Sequence, residues 1–221
     1  MQILDNITLI IITYKSEKII YDFIKKIPQN IKAIIVENSK NSKLKEDIEK
    51  NYKNISLYLK DNNGVSSALN FAVEKIDTQY FLQISPDIEF DYNDLELFFN
   101  FAKKINDKFG AIGPRFINTN KKSHKQINKN IEYGKINSIH GSCMFINKEN
   151  FYNLGKFDEN FFLYYEETEY CYRAQKKGYF NYQINRAKVK TLGRSVEITA
   201  ENNDITNILI WHFIWSKFYF S

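Results

Sequence analysis

The sequence predicts an α/β protein: a doubly wound, mostly parallel sheet merged with a smaller second lobe. Three observations predict it. Short β-branched runs alternate with helical patterns from Thr8 to Gly113. The first run, TLIIIT, is apolar without alternation, as in a strand buried on both faces. Beyond residue 116 the alternation fails, and a Lys/Asn-rich stretch opens a differently organised half.

Thr8–Thr13 is the first strand, and Ser16 is placed to cap a helix that runs to about Ile27 and stops at Pro28. Ala33–Val36 is a second strand, Lys43–Tyr52 a polar surface helix and Ile55–Leu59 a third strand. Gly64 opens the helix VSSALNFAVEKI, whose Val65, Leu69, Ala72, Val73 and Ile76 share a face. Tyr80–Ile84 is a strand ending in SPDIEF, Tyr92–Ile105 a helix, and Ala111–Gly113 a short strand before Pro114. Residues 118–132 read as a mobile loop. Ile139–Ile146 is a strand, a short helix starts at Lys148, a helix covers 166–177, two short strands lie near 180–184 and 187–192, and a last helix starts near Asp204. The expected organisation is one domain with two lobes, 1–115 and 116–203, and a terminal aromatic helix, 204–221.

Composition narrows the function classes. Apolar residues make up 43% of the 221, enough for a sizeable core, and the net charge of +5 suits an anionic ligand or membrane surface. Lysines are spread out and no nucleic-acid motif occurs, which argues against nucleic acid as a partner. Cys143 and Cys171 have no metal-site spacing and read as reduced, partly buried thiols. ITLIIITY lacks a basic leader and is too short to span a bilayer, so a cytoplasmic protein is expected.

Four segments carry candidate chemistry. In SPDIEF, Asp87 and Glu89 lie at i, i+2 past a strand, where extended backbone sends both carboxylates to one side. Such a pair suits Mg²⁺ or Mn²⁺ shared with substrate phosphates, or is simply a solvated turn. Glu37 in VEN ends the second strand, where an acid can meet a nucleoside or be an ordinary loop acid. In DNNGVSSALN, Gly64 opens a helix whose free N–H groups favour anions, or which is just well capped. No GxGxxG or GxxxxGK[ST] occurs, so a Rossmann dehydrogenase or P-loop NTPase is not indicated. In FFLYYEETEYCYRAQKKGY, a helical wheel puts Tyr170, Cys171 and Ala174 on an apolar arc with Glu167 in its middle, while Glu166, Glu169, Arg173, Lys176 and Lys177 gather opposite. A carboxylate against an apolar wall has its pKa raised toward the range of a general base, or it caps the helix start.

Taken in order, these segments resemble an inverting glycosyltransferase of family 2, of the rhamnosyltransferase-like subgroup. Such proteins have the GT-A fold, a Rossmann-like nucleotide-binding sheet merged with an acceptor-binding lobe. The match runs along nearly the whole chain: ITLIIITYKSEKII, VENS, DNNGVSSALNFAV, SPDIEF and, most specifically, HGSCMFINKENFYNLGKFDENFFLYYEETEYCYRAQKKGY. The resemblance implies a nucleoside-diphosphate sugar donor, a saccharide acceptor that could be lipid-linked, and a role in cell-surface polysaccharide synthesis. It implies that Thr13, Tyr14 and Glu37 line the nucleoside pocket and that Asn63 and Asn70 lie near the nucleotide or its sugar. Asp87 and Glu89 would hold Mg²⁺ or Mn²⁺ on the diphosphate. Glu167 would be the base, and Glu166 would contact the donor or acceptor sugar. Gly141 and Ser142 would border the donor sugar, and Asp158 would shape the acceptor lobe.

The chain departs from the family pattern twice. Glu167 and Glu169 stand where aspartates are usual, which moves each carboxylate by about 1.5 Å. VKTLGRS lacks the histidine often found before G-x-S, so Lys190 or Arg194 could neutralise the diphosphate. His124, His140 and His212 are scattered and are not assigned to metal. Two other readings stay open: a degenerate nucleotide-sugar-binding module, and a sugar nucleotidyltransferase, though TYKSEK lacks the latter's glycines. ILIWHFIWSKFYFS is apolar nearly all round, and either docks on the domain or makes peripheral contact with a membrane. A chain ending inside this run suggests a longer natural protein.

Overall fold

The computed structural model describes residues 3–118, 125–192 and 203–221, the first three of the last group by backbone only. After a short 3₁₀ turn (Ile3–Asn6), β1 (Ile7–Thr13), α1 (Glu17–Ile24), β2 (Lys32–Glu37), α2 (Ser42–Asn51), β3 (Ile55–Leu59), α3 (Val65–Lys75) and β4 (Tyr80–Ile84) alternate as expected. The two-residue β5 (Ile88–Glu89), α4 (Asp94–Lys104), β6 (Phe109–Phe116), β7 (Tyr133–Ile136), β8 (Cys143–Asn147), α5 (Lys148–Leu154), α6 (Glu166–Lys176), β9 (Phe180–Thr191) and α7 (Asn203–Phe220) complete the chain.

The strands join in the order β3-β2-β1-β4-β8-β6-β9-β5, with β7 paired to β9. The first four are parallel, while β8 runs antiparallel to both β4 and β6. Alternation along β1 sends Leu9 and Ile11 into one core, with α1, α2 and α4, and Ile10 into the other, with α3, α5 and α6. Burial on both faces explains the unbroken apolar run of β1.

Some expectations are corrected. Ser16 does not cap α1; its hydroxyl turns back to the carbonyl of Tyr14 (3.1 Å). The helix ends at Ile24, short of Ile27, because Pro28 restricts the backbone before it. The two short strands near 180–192 are one strand, β9. Its polar Asn185-Arg186 pair marks a register shift, Pro114 facing Ile184 and Arg115 facing Lys188, and not a chain reversal. Pro114 sits at that irregularity inside β6, where its missing N–H is tolerated. β8 begins only at Cys143, because residues 139–142 turn to build the site described next. In the stretch read as a loop, Gln126 exchanges both amide hydrogen bonds with the backbone of Phe116 (2.9 and 3.0 Å), and residues 119–124 and His124 lie outside the described residues. Both cysteines are free and buried, with thiol pKa values raised by burial.

Candidate active site

The C-terminal ends of β1, β2 and β4 form one edge of the parallel half-sheet. At the end of β2, Glu37 is fully buried. Its Oε2 accepts from Thr13 Oγ1 (2.5 Å), and its Oε1 accepts from the Ser39 N–H (2.7 Å) and from the Ser39 hydroxyl. Thr13 and Glu37 therefore satisfy each other, and Tyr14, next in the chain, is half-buried with Lys15 Nζ over its ring (5.4 Å). The next residue, Asn38, is buried with Oδ1 unpartnered.

At the end of β4, Gln83 donates from Nε2 to the Gly141 carbonyl (2.6 Å), and the Ser85 N–H donates to the Ser142 carbonyl (2.9 Å). Two residues on, Asp87 is buried, and its Oδ2 accepts from Thr191 Oγ1 (3.2 Å). β5 pairs with β9 so that Glu89 faces Lys190, Nζ lying 4.0 Å from Oε2. Asp87 and Glu89 thus occupy one rim with different surroundings, one buried and one half-exposed. Among the described residues, no three metal-ligating side chains gather. The hard oxygens of Asp87 and Glu89 fit Mg²⁺ or Mn²⁺ where phosphate oxygens complete the shell. Arg194 lies outside the described residues.

Gly141 and Ser142 link this rim to α6. A Cβ placed on Gly141 would lie 3.5 Å from Cβ, Cγ and Cδ of Glu167, an ordinary van der Waals separation, so the turn runs close to that side chain. His140 Nδ1 lies 2.6 Å from Ser142 Oγ and accepts from the Ser142 N–H (3.2 Å), fixing the turn. The Gly141–Ser142 turn, close to Glu167, is thus bonded to the end of β4 two residues before Asp87.

The helix wheel misjudged the pair at the start of α6. Glu166, expected on the solvated side, is buried with Oε2 unpartnered, whereas Glu167 is partly exposed. The first turn of α6 is enclosed by its neighbours, and Tyr164 and Tyr165 enter it with φ of 68° and 67°. Burial, helped by the nearby Glu167 charge, raises the Glu166 pKa to about 8. Burial also raises that of Glu167, but the N–H groups of Glu167 and Thr168 favour its charged form. Burial thus favours a proton on this pair of carboxyls, while the N–H groups at the helix start favour charge on Glu167. Further along α6, Glu169 and Arg173 pair as expected (2.7 and 2.6 Å). Arg173 also donates to the carbonyls of Leu154 and Lys156, locking α6 to the end of α5.

The start of α3 does not present a free anion site. Val65 N–H donates to the Phe162 carbonyl (2.7 Å), and Ser66 Oγ donates to that of Phe161 (2.7 Å). Asn70, expected near the nucleotide, instead clamps this same segment. Its Nδ2 donates to Phe157 O (3.0 Å) and Glu159 Oε1 (2.9 Å), and its Oδ1 accepts from Phe157 N–H (3.1 Å). Asn63 is exposed, beside the Lys40–Asp61 ion pair (2.5 Å). Asp158 accepts from Asn160 N–H (2.9 Å) and from Tyr219 Oη (3.2 Å), so it ties the segment to α7. Sequence reasoning missed Gln83, whose Oε1 is buried and unpartnered; a lone amide inside the apolar run YFLQI was the available signal.

Residues 8–178 match the sequence profile described as glycosyl transferase family 2. The chain belongs to this family. It is 26% identical over 215 residues to the low-salt glycan biosynthesis hexosyltransferase Agl10 of Haloferax volcanii, covering 84% of this chain and 66% of that protein. It is 30% identical over 224 aligned residues to the dTDP-rhamnosyl transferase RfbF of Shigella flexneri, covering 89% and 73%. Among solved structures, the mannosyltransferase PcManGT of Pyrobaculum calidifontis, in complex with GDP-Man and Mn²⁺, superposes with a TM-score of 0.70 at 13% identity, over 93% of this chain and 60% of that one. GalNAc-T7 with UDP, GalNAc and Mn²⁺ gives 0.66 at 14%, over 87% and 44%. The chain thus spans about two thirds of the first relative and about half of these structures. The fold is GT-A, the resemblance expected from the motifs.

Proposed function

We propose that this chain is an inverting glycosyltransferase that moves a hexose, rhamnose being one choice, from a nucleoside-diphosphate sugar to a hydroxyl of a saccharide acceptor in cell-surface polysaccharide synthesis. The observation that carries the reading is the closeness of Glu167 to Gly141, in a turn bonded to the end of β4 two residues before Asp87. The unpartnered oxygens of Asn38, Gln83 and Glu166 lie on the segments around this edge and support ligand binding there. A hexosyltransferase and a dTDP-rhamnosyl transferase among its relatives support the sugar class.

Glu167 accepts the proton of the acceptor hydroxyl as its oxygen attacks the anomeric carbon. The bond to the diphosphate breaks on the opposite face, and the configuration inverts. Positioned base catalysis of this kind contributes about 10²–10⁴-fold. Glu166, kept neutral by burial, is a hydrogen-bond donor toward sugar or acceptor. Asp87 and Glu89 would hold Mg²⁺ or Mn²⁺, which stabilises charge on the departing diphosphate. Lys190, across from Glu89, adds positive charge at the same rim. A lipid-linked acceptor would place the reaction at the cytoplasmic face of a membrane.

The test is a panel of nucleotide sugars with Mg²⁺, Mn²⁺ or chelator, read by donor hydrolysis and transfer, with the product anomer assigned by NMR. Turnover of one donor with inverted product supports the proposal. A donor that binds but never turns over would favour the non-catalytic binding module, for which the glutamates in place of aspartates are the motivating feature. A retained anomer would exclude the inverting mechanism.

A further inference from the structure

The sequence left open whether α7 docks on the domain or meets a membrane. The structure shows that it docks with one face only. Ser216 is fully buried and donates to the Leu163 carbonyl (2.9 Å), and His212 stacks on Phe162 (4.3 Å between ring centres). Phe213 packs on Tyr164 and Tyr165, and Phe220 packs on Tyr165 and Tyr172. The inward stripe is 209, 212, 216 and 220, at helical spacing. The outward face carries Ile210 (52% exposed), Trp211 (59%), Ile214 (61%), Trp215 (43%) and Phe218 (76%), a continuous apolar surface that water does not favour.

We infer that this outward face of α7 docks on an anionic phospholipid surface. The charge pattern selects that occupant. Residues 206–221 include no Asp or Glu, and their one charged side chain is Lys217, exposed at the edge of the apolar face. Lys176 lies over Tyr172 (5.1 Å), the ring that packs against Phe220, which adds a second cation at that end of the helix. A second copy of the face would bring like charge in Lys217 and no carboxylate from residues 206–221, whereas phosphate headgroups complement the cations. Two tryptophans stacked at 6.0 Å on a helix that also carries an exposed lysine are side chains that settle at the headgroup boundary. No described helix is long and apolar enough to cross a membrane. Because the inward face of α7 rests on 161–165, directly before Glu166, docking holds the catalytic turn at a fixed distance from the lipid. The inference deepens the proposed function by naming the surface that brings the enzyme to a lipid-linked acceptor; it rests on that reading for its purpose but is tested without any sugar.

The experiment is flotation of the full chain with phosphatidylcholine vesicles, with and without phosphatidylglycerol, alongside light scattering of the protein alone. A triple variant, Trp211→Ser, Ile214→Ser and Phe218→Ser, removes the outward apices, and Lys217→Glu reverses the charge. Wild type is expected to float with the phosphatidylglycerol vesicles, the triple variant to lose about tenfold or more of that binding, and Lys217→Glu to bind them less well. Donor hydrolysis in solution, unchanged in these variants, reports on the enzyme separately from the surface. Wild type that stays soluble, a triple variant that floats equally well, or a wild-type dimer that the triple variant dissolves would each overturn the inference.

Discussion

Gly64→Ala probes the join between the two halves of the site. Gly64 has φ +91° and ψ 172°, a region open to glycine alone. A Cβ there would lie 2.5 Å from the Phe162 carbonyl oxygen, 2.7 Å from its Cα and 2.9 Å from its carbonyl carbon. These are backbone atoms, so no side chain can rotate away. The strained dihedral costs about 1–3 kcal/mol, and forcing the packed backbone apart costs a further ~1–3 kcal/mol. The expected loss is roughly 2–6 kcal/mol, against the usual 5–15 kcal/mol of a domain. The displaced segment is the one that leads into α6, so Glu166 and Glu167 move with it. A misplacement of about 1 Å can cost 100-fold in rate. Urea melts measure the first effect, and turnover at a temperature where the variant is fully folded measures the second. A variant with wild-type stability and wild-type turnover would show that the contact between α3 and residues 161–162 does not position the site.

Other perturbations separate the remaining parts. Glu166→Gln should gain stability over wild type as pH rises. The folded-state pKa is raised to about 8 by burial, so the wild-type contribution is whole below the unfolded value of 4.5 and is lost as pH climbs through the folded one. Urea melts at acid and alkaline pH should diverge by a few kcal/mol, and parallel curves would deny that Glu166 is buried. Turnover should fall on the acid side as Glu167 is protonated, at a pH above the ordinary carboxylate range, because burial raises its pKa; a profile flat through that range would contradict the base assignment. Asn70→Ala should cost about 1–3 kcal/mol by leaving buried backbone at Phe157 unpaired, while donor affinity measured by calorimetry stays near wild type. A large selective loss of affinity would restore Asn70 as a nucleotide ligand.

The strands β1, β3 and β4 and the helix α3 were legible because their signals are local: unbroken apolar runs, and a glycine before an amphipathic stretch. Family motifs likewise marked the segments on which the proposed site is built. What the sequence hid was tertiary. A helix wheel treats all turns of α6 alike, yet its first turn is walled by other elements, so Glu166 is inside and Glu167 faces Gly141. Glu37 and Asn70 lie in the expected segments, but their polar atoms are engaged by Thr13 and Ser39, and by Phe157 and Glu159, partners distant or unremarkable in sequence. Asn185-Arg186 looked like a break between strands, because a register shift that keeps one strand continuous leaves no local mark.

The proposed transfer depends most on Glu167 taking the acceptor's proton. Turnover of Glu167→Gln at saturating donor tests it, once calorimetry has shown that the variant binds donor as wild type does. A fall of about 10²–10⁴-fold is predicted. Turnover within about threefold of wild type would contradict it and move the base elsewhere in the cleft.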